Sequence, residues 1–267
     1  MKTLTVYNRR KALLDLLRQQ SDLHVPELAA TLAVSEGTVR NDLNALEAEG
    51  QLFRVHGGAV LNGRTHFLDT KYSTRFQDHV EAKKIIGRRA VELVNDGDSI
   101  LLDASSTIYY FAQTLQERRQ LRIVTNGIDV ARLLAREPTN NVILLGGVVN
   151  LEGSSITGLF NEQIIQELHI QKAFVSCSGF TIEHGMTEVH MAEAQIKRKA
   201  IESANQVIAL IDSSKFGKED LTSFARPEQI SCLYTDIGLS PEWNTRLHNA
   251  GIPVTLCGEA EPSTPCS

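Results

Sequence analysis

Residues 35 to 44 hold the side chains best suited to reading another molecule: Ser35-Glu36-Gly37-Thr38-Val39-Arg40-Asn41-Asp42-Leu43-Asn44. Ser35 is a good N-cap, because its hydroxyl can accept a hydrogen bond from a free N–H of the first helical turn. Val39, Leu43 and Leu46 recur at four- and three-residue spacing and so share one helical face. Thr38, Arg40, Asn41 and Asn44 lie off that face. Short donors and acceptors beside one Arg are what a helix needs to read base edges in a major groove. The stretch alone equally suits an ordinary amphipathic surface helix.

A second set of polar residues lies at the ends of a series of short apolar runs. It comprises Asp103-Ala104-Ser105-Ser106-Thr107, Thr125-Asn126-Gly127, Gly146-Gly147 and Asp212-Ser213-Ser214-Lys215. Hydroxyls and free N–H groups at a helix start can hold a phosphate. Two glycines let a backbone approach closely, and Lys215 supplies a counter-charge. Taken singly each signal is weak, because Ser or Thr at a helix start is usually a cap and a loop Lys is usually solvated. Their recurrence at successive strand ends describes an anion pocket.

The elements that must position these residues fall into two halves. In residues 1–61, Arg9, Leu13, Leu14 and Leu17 read as a first helix and Val25-Pro26 through Leu32 as a short second one, with Pro26 in its first turn. Ala33-Val34 turns the chain into Ser35. Helix, turn and helix form a helix-turn-helix, whose second helix enters the groove. Residues 51–55 and 59–61 flank a Gly57-Gly58 turn and read as a hairpin wing, with Arg54 and His56 near its tip. Residues 62–80 read as a linker with enough aromatics to pack in part on the second half. Residues 81–257 alternate apolar runs with helical patterns. Strands are expected over 98–102, 121–124, 141–145, 173–177, 206–211, 231–234 and 254–256, the signature of a mostly parallel sheet covered by helices. Ligands in such sheets lie outside the carboxyl ends of the strands. The last ten residues read as a disordered tail.

Whole-chain properties bound the function. The 267 residues suggest two domains, and 42% hydrophobic with 22% charged residues is ordinary for a globular chain. No apolar run approaches the ~18 residues of a membrane span, and no secretory signal is visible. The four cysteines (Cys177, Cys232, Cys257, Cys266) have no metal-type spacing and fit a reducing cytoplasm. His169, His184 and His190 are isolated, so no metal and no cofactor is expected. The net charge of −5 weighs against nucleic acid, and residues 1–61 balance seven Lys/Arg against seven Asp/Glu. DNA affinity must then come from a few well-placed cations, and a homo-oligomer (dimer or tetramer) is expected to compensate for weak single-copy binding.

Arg9, Leu13, Leu17, a gap of seventeen residues, then Ser35-x-x-Thr38-Val39-Arg40-Asn41-Asp42-Leu43 resembles the N-terminal signature of the DeoR family of bacterial transcriptional regulators. The second half resembles that family's sensor domain, itself similar to ribose-5-phosphate isomerases. The matching motifs are Asp103-x-x-Ser106-Thr107, Thr125-Asn126, Gly146-Gly147, Gly185-Met186-Thr187, Glu193 with Lys197, and Asp212-x-x-Lys215-Phe216-Gly217. The family pattern has Gly where Ser105 stands. The resemblance implies a winged helix-turn-helix on operator DNA and a sensor of phosphorylated sugars, with Asp42 structural rather than a base contact. The candidate DNA contacts are Arg9, Ser35, Gly37, Thr38, Arg40, Asn41, Asn44, Arg54 and His56. The candidate ligand contacts are Asp103, Ser105, Ser106, Thr107, Thr125, Asn126, Gly146, Gly147 and Lys215.

A repressor released by a sugar phosphate is the leading expectation. The alternative is a sugar-phosphate isomerase with an appended DNA-binding module. Isomerisation needs a positioned base, for which Asp103, Glu188, Glu193 and Asp212 are candidates. The isomerase likeness, however, would want paired carboxylates after the fourth strand, where Cys177-Ser178-Gly179-Phe180 stands. Cys177 has no histidine placed by sequence to activate it.

Overall fold

The computed structural model describes residues 5–19, 24–48, 51–55, 58–61, 75–150, 154–158 and 165–258. The chain divides into two compact units, Met1–Phe67 and Leu68–Ser267.

The first unit contains helices α1 (Val6–Gln19), α2 (Val25–Leu32) and α3 (Glu36–Ala48), then an antiparallel hairpin of β1 (Leu52–Val55) and β2 (Gly58–Leu61). The Glu27 carboxylate accepts the His24 N–H (2.8 Å) ahead of α2. That helix ends on Ala33 in the left-handed region (φ 52°), whose N–H returns to the Ala29 and Ala30 carbonyls. The left-handed cap ends α2 abruptly, and two residues later Ser35 accepts the Thr38 N–H (3.2 Å) to start α3. One core of Leu13, Leu17, Leu28, Val39, Leu43, Leu46, Leu52 and Ala59 joins the helices to the hairpin. This is the expected winged helix-turn-helix. Asp42 of α3 is 3% exposed and clasps α1: it accepts from Arg9 Nε at 2.5 Å and from Arg10 Nε at 3.3 Å.

The second unit runs α4 (Val80–Ala90), β3 (Ser99–Leu102), α5 (Ser106–Thr114), β4 (Arg122–Thr125), α6 (Ile128–Leu134), β5 (Asn141–Leu144), β6 (Val148–Asn150), β7 (Ser155–Thr157) and β8 (Ile170–Val175). It continues with β9 (Gly179–Thr181), β10 (Gly185–Glu188), α7 (Met191–Glu202), β11 (Ala204–Leu210), β12 (Thr222–Ala225), β13 (Cys232–Asp236), α8 (Pro241–Asn249) and β14 (Val254–Cys257). All seven expected strands lie in one sheet, ordered β14-β13-β11-β8-β3-β4-β5, and every pair is parallel. Alternate residues feed opposite faces: Ile100, Leu102, Phe174 and Tyr234 enter the core under α4 and α5, whereas Leu101, Val124 and Ala173 enter the one under α7.

The chain moves outward from β3 through β4 to β5, then returns to β8 and moves outward the other way. The switch therefore lies between β3 and β8, the place where ligands settle in open parallel sheets. Two small additions have no sequence signal: the β6–β7 hairpin and an antiparallel sheet ordered β12-β10-β9. Their three- and four-residue strands are short and rich in Gly and Thr, so no alternation of apolar residues marks them.

The Asp42 clasp yields a stability test. Asp42→Ala leaves two guanidinium groups against a buried position without their acceptor. It should lower the unfolding free energy of the first unit by about 2–3 kcal/mol, read as a shifted urea midpoint at unchanged slope. A midpoint equal to that of the parent would show that the clasp contributes nothing.

Candidate functional site

A cleft opens at the β3/β8 switch point. Its empty volume is about 800 Å³, open solvent included. Ala104, Ser105, Ser106 and Thr107 line it from the end of β3, and Ser176, Cys177 and Ser178 from the end of β8. Lys215 enters from the turn after β11, Glu188 from β10, Glu193 and Lys197 from α7, and Arg75 from the segment before α4. The N-terminus of α5 faces this space. Ser105 caps it by accepting the Ile108 N–H (3.3 Å), and the remaining first-turn N–H groups are suited to an anion.

The floor of the cleft is an ionic network. Lys197 is 4% exposed, and its ammonium donates to Glu188 Oε2 (2.7 Å) and the Ser176 carbonyl (2.8 Å) and pairs with Asp103 Oδ2 at 3.1 Å. Asp103 also accepts the Ser105 and Ser176 N–H groups, both at 2.8 Å. Glu188 accepts the Ser178 hydroxyl at 2.6 Å. Burial alone would pull the Lys197 ammonium down, but the carboxylates of Asp103 and Glu188 outweigh it and hold its pKa above the ordinary lysine value. Burial likewise pushes Glu188 up, and Lys197 with the Ser178 hydroxyl more than reverses this, so Glu188 stays ionised. Burial raises the Cys177 thiol above its ordinary value, which makes it a small buried residue rather than a nucleophile.

Beside the cleft a second buried lysine holds the entering chain. Lys83 of α4 donates to the carbonyls of Arg75 and of Asp78, the latter at 2.7 Å. The Tyr110 hydroxyl donates to the Phe76 carbonyl (3.0 Å), and the Phe76 ring meets Tyr109 edge-on. Burial lowers the Lys83 pKa to about 8, Asp212 raising it and Lys215 lowering it further.

The structure separates the expected ligand residues into three groups. Ser105, Ser106, Thr107 and Lys215 line the cleft. Asp103, Thr125 and Asn126 lie beneath it as buried supports: Thr125 Oγ1 accepts the Gly127 N–H (3.0 Å), and Asn126 Nδ2 donates to Glu193 (3.3 Å). Gly146 and Gly147 are not among the described residues lining it. At Gly147 (φ 148°) a Cβ would stand 2.2 Å from the Thr157 carbonyl oxygen, so the close approach is to the chain's own β7. Arg75, Ser176, Glu188, Glu193 and Lys197 are additional cleft residues. The i, i+4 spacing of Glu193 and Lys197 was legible; that both point inward was not.

On α3, Arg40 and Asn41 are exposed, and so are Gly37 and Asn44. Thr38 is half-buried and shares a hydroxyl hydrogen bond with Ser35 (2.9 Å). Arg40 pairs with Glu36 one turn back at 2.7 Å, an exposed pair of the kind worth only a few tenths of a kcal/mol. Arg9 is held by Asp42 and is 11% exposed, so its guanidinium braces α3 from α1. Arg54 stands on β1, its side chain outside the described residues, and His56 also lies outside them.

Two family models match the chain: the DeoR-like helix-turn-helix domain over residues 9–65 and the DeoR C-terminal sensor domain over residues 78–237. The chain belongs to the DeoR family. Among curated relatives, the HTH-type transcriptional regulator GolR of Listeria innocua is 34% identical over 94% of this chain and 98% of its own length. The lactose phosphotransferase system repressor of Streptococcus mutans is 33% identical over 85% and 91%. The L-fucose operon activator of Haemophilus influenzae is 35% identical over 86% and 92%. A ribose 5-phosphate isomerase from Methanocaldococcus jannaschii overlays with a TM-score of 0.40 at 17% identity, over 52% of this chain and 55% of that one, a likeness too slight to bear on the site.

This DeoR-family chain is accordingly a DNA-binding transcriptional regulator and not an enzyme. No helix among the described residues is long and apolar enough to cross a membrane.

Lys83 gives this regulator a pH signature. Its folded pKa, about 8, lies below the unfolded value near 10.4, so burying the charge opposes folding at neutral pH. Between pH 8 and about 10.4 the unfolded chain binds more protons at this position than the folded one, and stability rises with pH there. Urea unfolding at pH 7.5, 8.5 and 9.5 should show the parent gaining on Lys83→Met as pH rises. Parallel curves would place the Lys83 titration outside that window.

Proposed function

We propose that this regulator represses a sugar-metabolism operon and leaves its operator when a phosphorylated sugar or related metabolite fills the cleft. One observation carries the reading: the hydroxyls of Ser105, Ser106 and Thr107, the start of α5 and the cations Lys215 and Arg75 converge on one open cleft. That is a donor-rich corner with two cations beside a helix N-terminus, suited to a phosphate. The sheet switch point supports the same location. The repressor sense follows the lactose relative; the fucose relative, named an activator, gives the opposite sign.

The DNA contacts proposed are Thr38, Arg40, Asn41 and Asn44 of α3, with Ser35 and Gly37 at its start and Arg54 and His56 from the wing. The exposed Arg40–Glu36 pair is weak enough to be exchanged for a phosphate or a base edge. The first 61 residues carry equal numbers of acidic and basic side chains, so one copy grips DNA weakly. A dimer or tetramer on a two-fold operator supplies the missing affinity.

A gel shift of the upstream region against a panel of sugar phosphates, with a reporter in cells for the sign, tests the reading. Arg40→Ala should weaken operator binding at least tenfold, consistent with 1–3 kcal/mol for a base-contacting Arg, and leave effector binding intact. Lys215→Ala should bind operator normally and fail to release it. Both variants failing at one and the same function would refute the division of labour.

A further inference from the structure

The cleft is electrically uneven along the strand order. Lys215 follows β11 and Asn126 follows β4, with β8 and β3 between them. At about 4.8 Å per strand the two ends stand about 14 Å apart. The Lys215 end also holds Arg75, whose charge together with that of Lys215 lowers Lys83. The middle holds the hydroxyls of Ser105, Ser106, Thr107 and Ser178.

The Asn126 end is different in kind. Glu193 lies there, 8% exposed yet lining the cleft. Its carboxylate accepts from two neutral groups, the Ser155 hydroxyl and Asn126 Nδ2. Asn150, which also lines the cleft, sits cross-strand from Ser155. Glu188 has its negative charge matched by a direct ion pair to Lys197, whereas Glu193 acts on Lys197 only through space and its hydrogen-bond partners among the described residues are uncharged. A carboxylate so placed accepts hydrogen bonds and repels a second anion.

Resting on the cleft as the phosphate site, we propose that Glu193 is its specificity-determining residue: it accepts hydrogen bonds from the effector end remote from the phosphate, which carries hydroxyl or amine donors and no carboxylate or second phosphate. The effector class is then a singly phosphorylated polyhydroxy or amino sugar. Phosphorylated sugar acids and bisphosphates are rejected even though their phosphate fits.

The test uses the full-length protein and the intrinsic fluorescence of its single tryptophan. Trp243 packs on Phe216, the residue after Lys215, with ring centroids 5.6 Å apart. Hexose 6-phosphates, the matching 2-amino sugar 6-phosphates, the matching 6-phosphoaldonates and inorganic phosphate are titrated into parent and Glu193→Gln. The parent should bind at least one neutral or amino member tenfold or more tighter than its phosphoaldonate, and the better of the two identifies the donor as hydroxyl or amine. Glu193→Gln, with its unfolding midpoint checked against the parent, should narrow that gap to about threefold or less by gaining phosphoaldonate affinity. A Glu193 that only tethers the β6–β7 hairpin would weaken all probes alike, and that result overturns the proposal. Equal parent affinity for a sugar phosphate and its acid overturns it too, leaving the phosphate site standing. No response to any phosphate compound would overturn both.

Discussion

The buried ammonium of Lys197 is the constraint on which the sensor unit depends. It draws the end of β3 through Asp103, the end of β8 through the Ser176 carbonyl and β10 through Glu188 onto one point of α7. A charge this deeply placed is tolerable only when its partners are fixed and complete. The same fixing sets the floor of the cleft: Asp103, held on one side by Lys197, orients the Ser105 N–H on the other. The loop that starts α5 is thus a consequence of an ion network one layer below it. The isomerase alternative fades for the same reason, because two of the carboxylates that could serve as bases, Asp103 and Glu188, are already committed to that ammonium.

The reading head obeys an analogous rule at lower energy. Asp42 gathers Arg9 and Arg10 and so sets α3 against α1, leaving Arg40 and Asn41 outward. Arg40 is lightly engaged by Glu36, while Asp42 is deeply engaged by two arginines. The contrast in burial separates the arginines that hold α3 against α1 from Arg40, whose pair with Glu36 is exposed.

Much of this was legible in the chain itself. Val39, Leu43 and Leu46 marked the buried face of α3, and the seven apolar runs marked the seven strands of the parallel sheet. The hydroxyls at the start of α5 and Lys215 were recognisable because helix starts and strand ends concentrate polar groups. What stayed hidden depends on contacts between residues far apart in sequence. Arg9 looks identical to a DNA-facing arginine until Asp42, thirty-three positions away, is seen to hold it. Gly147 carries a glycine signal that is real but is satisfied by the Thr157 carbonyl of the same chain. The motif match and the i, i+4 spacing place Glu193 and Lys197 on one helix face without saying that the face is inside.

The central claim is that operator and effector compete energetically for one protein, and linkage makes that claim reciprocal. The decisive quantity is the Kd of a releasing sugar phosphate measured with and without saturating operator DNA. The account predicts that operator weakens effector binding by the same factor by which effector weakens operator binding. An effector affinity unchanged by operator, in a protein that still binds both, would contradict it.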